Sequence, residues 1–503
     1  MIEIVSKETL FTYNLYHIVK AFFPEAEIRQ CVDGEQEPLV KLTVDGGSCF
    51  SVAEEPLIGE GVQMEELRQM RKRFVTHKVY EYLSEITGRS LSWGMLTGVR
   101  PTKLVMQKLE KGKSENEIIE FLKREYSVSD AKAKLAVEIA EREKRQMECL
   151  HTPDGLSLYV GIPFCPSICS YCSFSSSPAD QWQERMDAYL DALCREIEAT
   201  AKMAKGKILD TVYIGGGTPT TLSAGQLDCL LSCIEQNFSM ETVQEYTVEA
   251  GRPDSITKEK LEVIRKYPVT RISINPQTMQ QKTLDLVGRK HTAEDVKTIF
   301  HLARTLGFDN INMDLIAGLP GESAEDMRDT LAQIEQLGPD SLTIHSLAIK
   351  RAAKMGQDAK IKIRMSKEGE KGQKMQDDLQ NQPLKTIGSE IGQMVEDGAA
   401  AAGRMGLLPY YLYRQKNIAG NFENVGYAKV DKAGIYNILI MEEKQTILAC
   451  GAGAGTKIVL PEKITLENGK TTNLIRIENV KNITEYISRI DEMIERKGEW
   501  LWH

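Results

Sequence analysis

The sequence predicts an α/β protein built on a partial, three-quarter barrel of six strand–helix units, with an N-terminal α+β domain and a C-terminal α+β extension. Three observations carry this expectation. From about residue 155, short β-rich runs alternate with helix-length segments: SLYVGI, TVYIGG, EYTVEA, TRISIN, NINMDLI and SLTIHS. Such alternation predicts a parallel sheet with helices outside it. The texture before and after these units differs, which divides the chain into residues 1–150, 151–350 and 351–503. Finally, 503 residues with 42% hydrophobic and 27% charged side chains describe a globular chain of more than one domain.

The N-terminal part opens with short strand candidates, IEIV, AEIRQCV and LVKLTV, and continues as helices. Ser114 with Glu117 fits a capping box before IIEFLKREY, and Ser127 with Asp130 fits another before AKAKLAVEIAEREKRQ. LTGVRPTKL, from Leu96 to Leu104, is punctuated by Gly98 and Pro101 and reads as a connection between helices. In the central part, WQERMDAYLDALCREIEATAKMA places Trp182, Met186, Tyr189, Leu190, Leu193 and Ile197 on one helical face. Residues 350–380 are polar and basic, as expected of a solvated loop, or more sharply of an electropositive rim for a polyanionic substrate. Beyond residue 385 follow a long helix, the strand-like runs GIYNILIM, QTILAC and LIRI, and an amphipathic helix from about Ile483 to Lys497. This last part reads as a second α+β unit packed against the barrel.

The net charge of −9 and pI near 5.6 weigh against nucleic acid as the main partner, since phosphate binding usually needs a basic surface. No apolar run is long enough to span a bilayer and no signal segment opens the chain, so a cytoplasmic protein is expected. Ten cysteines are too few for a disulfide scaffold of this size. In a reducing compartment a tight group of them points to metal binding or catalysis.

That group lies in GIPFCPSICSYCSFSSS, where Cys165, Cys169 and Cys172 are spaced Cys-x3-Cys-x2-Cys directly after the first barrel strand. Thiolates are soft ligands suited to zinc or iron–sulfur clusters. Structural zinc asks for four protein ligands, and no second pair stands nearby at the right spacing. Three ligands on a [4Fe–4S] cubane would leave one iron open to a ligand's amino and carboxylate groups. Cys194, Cys229 and Cys233 fall on apolar helix faces and read as buried structural thiols. The second strand ends in YIGGGTPTTL, whose Gly215, Gly216 and Gly217 bare the backbone for close approach of a ligand. Glu249 ends the third strand, Gln277 and then Arg289 follow the fourth, and Asp314 lies on the fifth. Chemistry in such barrels gathers where the strands end, so one ligand could meet all of these groups.

The cysteine loop, GGGTP and DLIAGLPGES, in this order on alternating strands and helices, resemble a radical S-adenosylmethionine (SAM) enzyme with its three-quarter TIM-like barrel. Within that superfamily the chain resembles the oxygen-independent coproporphyrinogen III oxidases, in the long form with an extra N-terminal domain, the HemZ-type coproporphyrinogen dehydrogenases. The motifs cover residues 157–350, and PYYLYRQKN and ACGAGAGTKI extend the likeness into the C-terminal part.

The resemblance implies that Cys165, Cys169 and Cys172 hold a [4Fe–4S] cluster whose open iron binds SAM. It also implies a 5′-deoxyadenosyl radical, a porphyrinogen substrate whose propionates become vinyl groups, and an external electron donor. Tyr159, Gly216 and Glu249 would contact the cluster-bound SAM. Tyr171, Gly217, Thr218, Gln277, Arg289, Asp314 and Ala348 would map to a second SAM. No catalytic residue beyond the cluster ligands is assigned. Two positions depart from the better-known pattern: Gly161 stands where many relatives have His, and Phe174 where they carry a further Cys. The C-terminal His-Asn-x-x-Tyr-Trp element of the haem-chaperone branch is not found. A haem-binding chaperone, with His345 as the candidate ligand at the barrel mouth, and a radical enzyme acting on tRNA are the alternative readings.

Overall fold

The computed structural model describes all residues except 25, 45–46, 57–62, 175, 348–383, 416–421, 467–468, 470 and 502–503, and only the backbone of 384–389. Ala348 and the basic 350–380 segment therefore lie outside the described residues.

Strands β1 (Ile2–Ser6), β2 (Ile28–Val32), β3 (Val40–Val44) and β4 (Ser48–Val52) form a sheet in the order β2–β1–β3–β4. Alternate residues of β1 and β3 face inward, as period-two side chains must on a half-covered sheet. Ile2, Ile4, Val40 and Leu42 meet Phe11, Leu15 and Ile18 of α1 (Thr9–Phe22) and Val79 and Leu83 of α2 (Met64–Thr87). This core is separate and reaches only to Met95. The helices α3 (Thr102–Leu109), α4 (Glu115–Tyr126) and α5 (Asp130–Glu148) place Val105, Ile118, Leu122 and Ile139 in the core of the central sheet. The division in hydrophobic packing thus falls near residue 95, inside the stretch expected to form one N-terminal domain.

Ser114 caps α4 with the expected reciprocal bonds to Glu117. The second expected box is absent. Ser127 instead ends α4 in a left-handed conformation (φ 55°), and Ser129 caps α5 by accepting from the Lys132 amide. The two helices are too close together for one serine to end the first and begin the second.

The six core strands are β5 (Gly155–Ile162), β8 (Ile208–Gly216), β9 (Glu245–Gly251), β10 (Arg271–Ile274), β11 (Ile311–Ala317) and β12 (Ser341–Ser346), each parallel to its neighbour in sequence order. The short pair β6 (Phe164–Cys165) and β7 (Ser177–Pro178) brackets the cysteine loop. Crossovers run through α6 (Met186–Met203), α7 (Ala224–Asn237), α8 (Lys258–Lys266), α9 (Gln281–Leu286) with α10 (Ala293–Thr305), and α11 (Ala324–Leu337). The core strands are buried almost throughout, as parallel strands covered on both faces are.

The C-terminal part does not build a sheet of its own. Beyond β12, the strands β13 (Leu408–Tyr413) and β14 (Asn424–Ala428) continue the same sheet in antiparallel fashion. Beyond β5, β15 (Thr446–Cys450) adds a parallel strand, followed by antiparallel β16 (Gly455–Thr465) and β17 (Thr471–Glu478). The result is one open sheet of eleven strands. Helix α12 (Leu384–Arg404) packs on α11. The run GIYNILIM, expected as a strand, is helix α13 (Ile435–Glu442), with Tyr436, Ile438 and Leu439 buried. A short apolar run carries no period that separates the two states. The final helix is broken at Arg489 into α14 (Ile483–Ser488) and α15 (Ile490–Leu501). No helix among the described residues is long and apolar enough to cross a membrane.

Candidate functional site

The cysteine loop leaves the C-terminal end of β5 and returns through β7, closed by Ser177 N donating to Pro163 O at 2.8 Å. Cys169 is buried, while Cys165 and Cys172 are half-buried. The loop is held from below by Ser170 N donating to Val287 O (3.1 Å) and internally by Cys172 N donating to Cys169 O (3.0 Å). A donor faces each sulfur: the Thr218 hydroxyl at 3.5 Å from Cys165, Arg252 Nη1 at 3.8 Å from Cys169, and the Phe174 amide at Cys172. Burial pushes the Cys165 and Cys172 thiols up, so neither favours the thiolate without a ligand to stabilise it.

A cavity of about 620 Å³ opens beside this loop. It brings together the three cysteines and Tyr159, Tyr171, Gly216, Gly217, Thr218, Glu249, Gln277, Arg289 and Asp314. The glycine run works differently from the sequence reading. The amides of Gly217 and Thr218 already donate to Ile162 O and Phe164 O, both at 2.7 Å, and so tie β8 to the cysteine loop. A Cβ on Gly217 would stand 2.5 Å from Phe164 O, and one on Gly215 would stand 2.9 Å from the Glu249 carboxyl. Gly216 (φ 107°) holds a conformation that L side chains disfavour.

Glu249 accepts a short hydrogen bond from the Tyr213 hydroxyl. Burial raises its carboxyl to about 7, against the opposing pull of that bond. Gln277 lies past the end of β10 in a left-handed conformation (φ 69°) and is pinned to β11, donating to Asp314 O and accepting from Ile316 N at 2.9 Å each. For a non-glycine residue this conformation is strained, and such strain clusters at functional sites. Arg289 donates to the Tyr171 hydroxyl (3.1 Å) and to Asn275 O (2.6 Å). Asp314 accepts from Asn312 (2.8 Å) and faces His345 Nε2 at 3.8 Å. Burial pushes the Asp314 carboxyl up, but the bonds from His345, Asn312 and Thr343 outweigh it and leave it low. Gly161 backs onto β15: a Cβ there would meet the Tyr159 ring at 3.3 Å and Cys450 O at 3.5 Å.

Sequence reasoning missed several cavity residues. Arg271, which opens an otherwise apolar strand, is fully buried, bonds Ser341 Oγ at 3.2 Å and keeps its Nε unpartnered. The rings of Tyr159, Tyr213 and Tyr436 stack on one another, with Tyr213 and Tyr436 4.4 Å apart. Tyr436 escaped notice because its helix read as a strand, whereas an arginine leading an apolar run was a usable signal for Arg271. Cys194, Cys229 and Cys233 are not buried as expected: Cys229 is exposed and the other two half-exposed between α6 and α7. Helical spacing alone does not tell a core face from the edge of a helix–helix contact.

The sequence pattern of the radical SAM superfamily matches residues 159–334, from Tyr159 on β5 to Ile334 on α11. Over 434 residues the chain is 39% identical to the oxygen-independent coproporphyrinogen-III oxidase-like protein HemZ of Bacillus subtilis (strain 168), spanning 86% of this chain and 81% of that one. It is 36% identical over 194 residues to the heme chaperone HemW of the same organism, covering 38% of this chain and 50% of HemW. It is 34% identical over 193 residues to the oxygen-independent coproporphyrinogen III oxidase of Escherichia coli (strain K12), covering 38% and 42%. Fold, cavity and pattern together define a protein of the radical SAM superfamily. Within it, the chain belongs to the HemZ-type family of oxygen-independent coproporphyrinogen-III oxidase-like proteins.

The superfamily implies a [4Fe–4S] cluster and SAM, and the residues fit both. Among the described residues no three His, Cys, Asp or Glu side chains converge on a single ion. A cubane does not ask for convergence, because each thiolate binds its own iron. The walls also carry buried polar atoms without partners, Asn275 Oδ1, Gln277 Oε1 and Arg289 Nε, as a site for a polar ligand requires.

Proposed function

We propose that the chain is a radical SAM oxidoreductase that converts propionate side chains of coproporphyrinogen III to vinyl groups, giving protoporphyrinogen IX. The observation that carries this reading is the match to an oxidase-like protein over 86% of the chain. The chaperone and the oxidase match only 38% each, at nearly equal identity, so the shared core does not discriminate between them.

Cys165, Cys169 and Cys172 would hold the cluster, with Tyr159, Gly216 and Glu249 around the SAM bound to it. When bound, the cluster would supply the electron that cleaves SAM to methionine and the 5′-deoxyadenosyl radical; that radical would take hydrogen from a propionate, and loss of carbon dioxide and of one electron to an external acceptor would leave the vinyl group. The chain's own residues bind, orient and exclude water. Glu249, raised to about 7 when empty, becomes charged beside a cation and can then hold an ammonium group. Arg289, with Nε unpartnered, can pair with a carboxylate. Tyr171, Gly217, Thr218, Gln277, Arg289 and Asp314 would surround a second SAM, together with Ala348. An external donor would supply the electron for each cleavage.

The test is anaerobic turnover of cluster-loaded protein with coproporphyrinogen III and mass-spectrometric product identification. A SAM-dependent vinyl product, absent with Cys169→Ala, is expected. Cleavage of SAM with no vinyl product would overturn the substrate assignment. The likeness to HemW supports a second reading, a haem carrier. His345 already faces the Tyr413 hydroxyl at Nδ1 (3.2 Å) and Asp314 at Nε2, which disfavours it as an axial ligand. Stoichiometric haem binding without turnover would favour that reading.

A further inference from the structure

Arg252 has no part in the scheme above, yet the fold directs it at the cysteine loop. β9 ends at Gly251 (φ 69°), and the chain turns there into the short helical turn Pro253–Ser255. Glu249 and Arg252 both line the cavity, and Arg252 is the one that reaches the cysteine loop. Its side chain is only 5% exposed, so every N–H must be satisfied by protein. Nε and Nη2 donate to the two Asp254 oxygens at 2.9 and 2.6 Å. Nη1 donates to Ser167 O (2.7 Å) and Ser167 Oγ (2.9 Å), and lies 3.8 Å from Cys169 Sγ. Sulfur's larger radius keeps that last distance within hydrogen-bond reach.

The Asp254 fork fixes the guanidinium plane and turns Nη1 to the loop, where its two N–H groups are shared among Ser167 O, Ser167 Oγ and Cys169 Sγ. His291 closes the far side of Asp254, its Nδ1 3.9 Å from Oδ1, and is fully buried. The pair of Arg252 and Asp254 is close to neutral, so what reaches Cys169 is a directed N–H dipole more than a net charge.

We infer that Arg252, fixed by Asp254, is a positioning and tuning residue whose N–H···S bond to Cys169 raises the reduction potential of the cluster. The inference rests on the proposed reading that Cys165, Cys169 and Cys172 hold that cluster. Hydrogen bonds to cluster sulfurs stabilise the reduced, more electron-rich state. Losing the donor lowers the potential. Losing Asp254 leaves an uncompensated cation beside the loop and raises it. A purely structural role for the pair predicts no such opposition of sign.

The experiment is an EPR-monitored redox titration of reconstituted wild type, Arg252→Met and Asp254→Asn, each with iron and sulfide content measured. Arg252→Met keeps the aliphatic stem and loses the donors and the positive charge, so the lost N–H···S bond and the uncovered Asp254 carboxylate act in the same direction. It is expected to lower the equilibrium constant for one-electron reduction about tenfold, which is ~59 mV, at unchanged iron content. Asp254→Asn is expected to shift it in the opposite direction. A loaded Arg252→Met within twofold of wild type overturns the inference. So does an unshifted or lowered Asp254→Asn, which decides the matter if Arg252→Met takes up no cluster. A wild type that binds no cluster overturns the reading of the three thiols itself.

Discussion

At the scale of single residues, the site is built from groups whose neighbours oppose their ordinary behaviour. Glu249 shows this most directly. Its folded value of about 7 stands above the ordinary 4.5, so between those values the folded chain binds more protons than the unfolded one. The stability this group contributes is therefore present below pH 4.5 and lost as pH rises towards 7. Relative to Glu249→Gln, the cofactor-free protein is expected to lose stability between pH 5 and pH 7. Urea unfolding of both proteins at the two pH values checks this, and parallel curves would contradict it. Gly217 is constrained by packing instead. A methyl group there drives into Phe164 O, so Gly217→Ala is expected to cost about 1–3 kcal/mol and to displace the cysteine loop. Thermal unfolding, together with the rate of cluster uptake, reads both effects.

At the scale of elements, the C-terminal segments hold the cavity in shape. Glu196 on α6 is completely buried and accepts from Gly451 N (2.8 Å), Asn479 (2.7 Å), the Tyr486 hydroxyl (2.6 Å) and Lys497 (2.8 Å). α6, the end of β15, α14 and α15 therefore meet at one carboxylate. Gly453 to Gly455, just beyond, line the cavity. Lys497→Met leaves that carboxylate without its counter-charge and is expected to cost about 3–5 kcal/mol, as measured by urea unfolding. A loss under about 1 kcal/mol would mean that the amide, hydroxyl and Asn479 donors suffice without the lysine. Arg100, in the loop expected to connect helices, donates to Met441 O and to Glu443 at the end of α13. The N-terminal part thereby supports the helix that carries Tyr436 into the cavity.

At the scale of the whole molecule, the two largest hydrophobic clusters among the described residues are separate. The smaller, between residues 2 and 95, contains no cavity residue. Calorimetry is expected to resolve two transitions. A ligand that binds only the folded site stabilises by about 2.7 kcal/mol at a hundredfold excess over Kd. SAM added to cluster-loaded protein should therefore raise the larger transition and leave the smaller unmoved. A common shift of both would show that the two cores unfold as one unit.

The alternation of six β-rich runs with amphipathic segments, the Cys-x3-Cys-x2-Cys spacing and the GGGTP turn are local patterns, and the sequence by itself determined from them the six parallel strand–helix units and pointed to the strand ends that line the cavity. Local patterns suffice there because strand period, helix period and the spacing within one loop depend on near neighbours in the chain. The tertiary structure alone decided the rest. It turned GIYNILIM into a helix, spread the C-terminal strands over both edges of the sheet, and set β15 against Gly161. It also brought Arg252 to a loop 85 residues earlier in the chain. Each of these outcomes depends on which distant surfaces bury one another, and no spacing along the sequence encodes that choice.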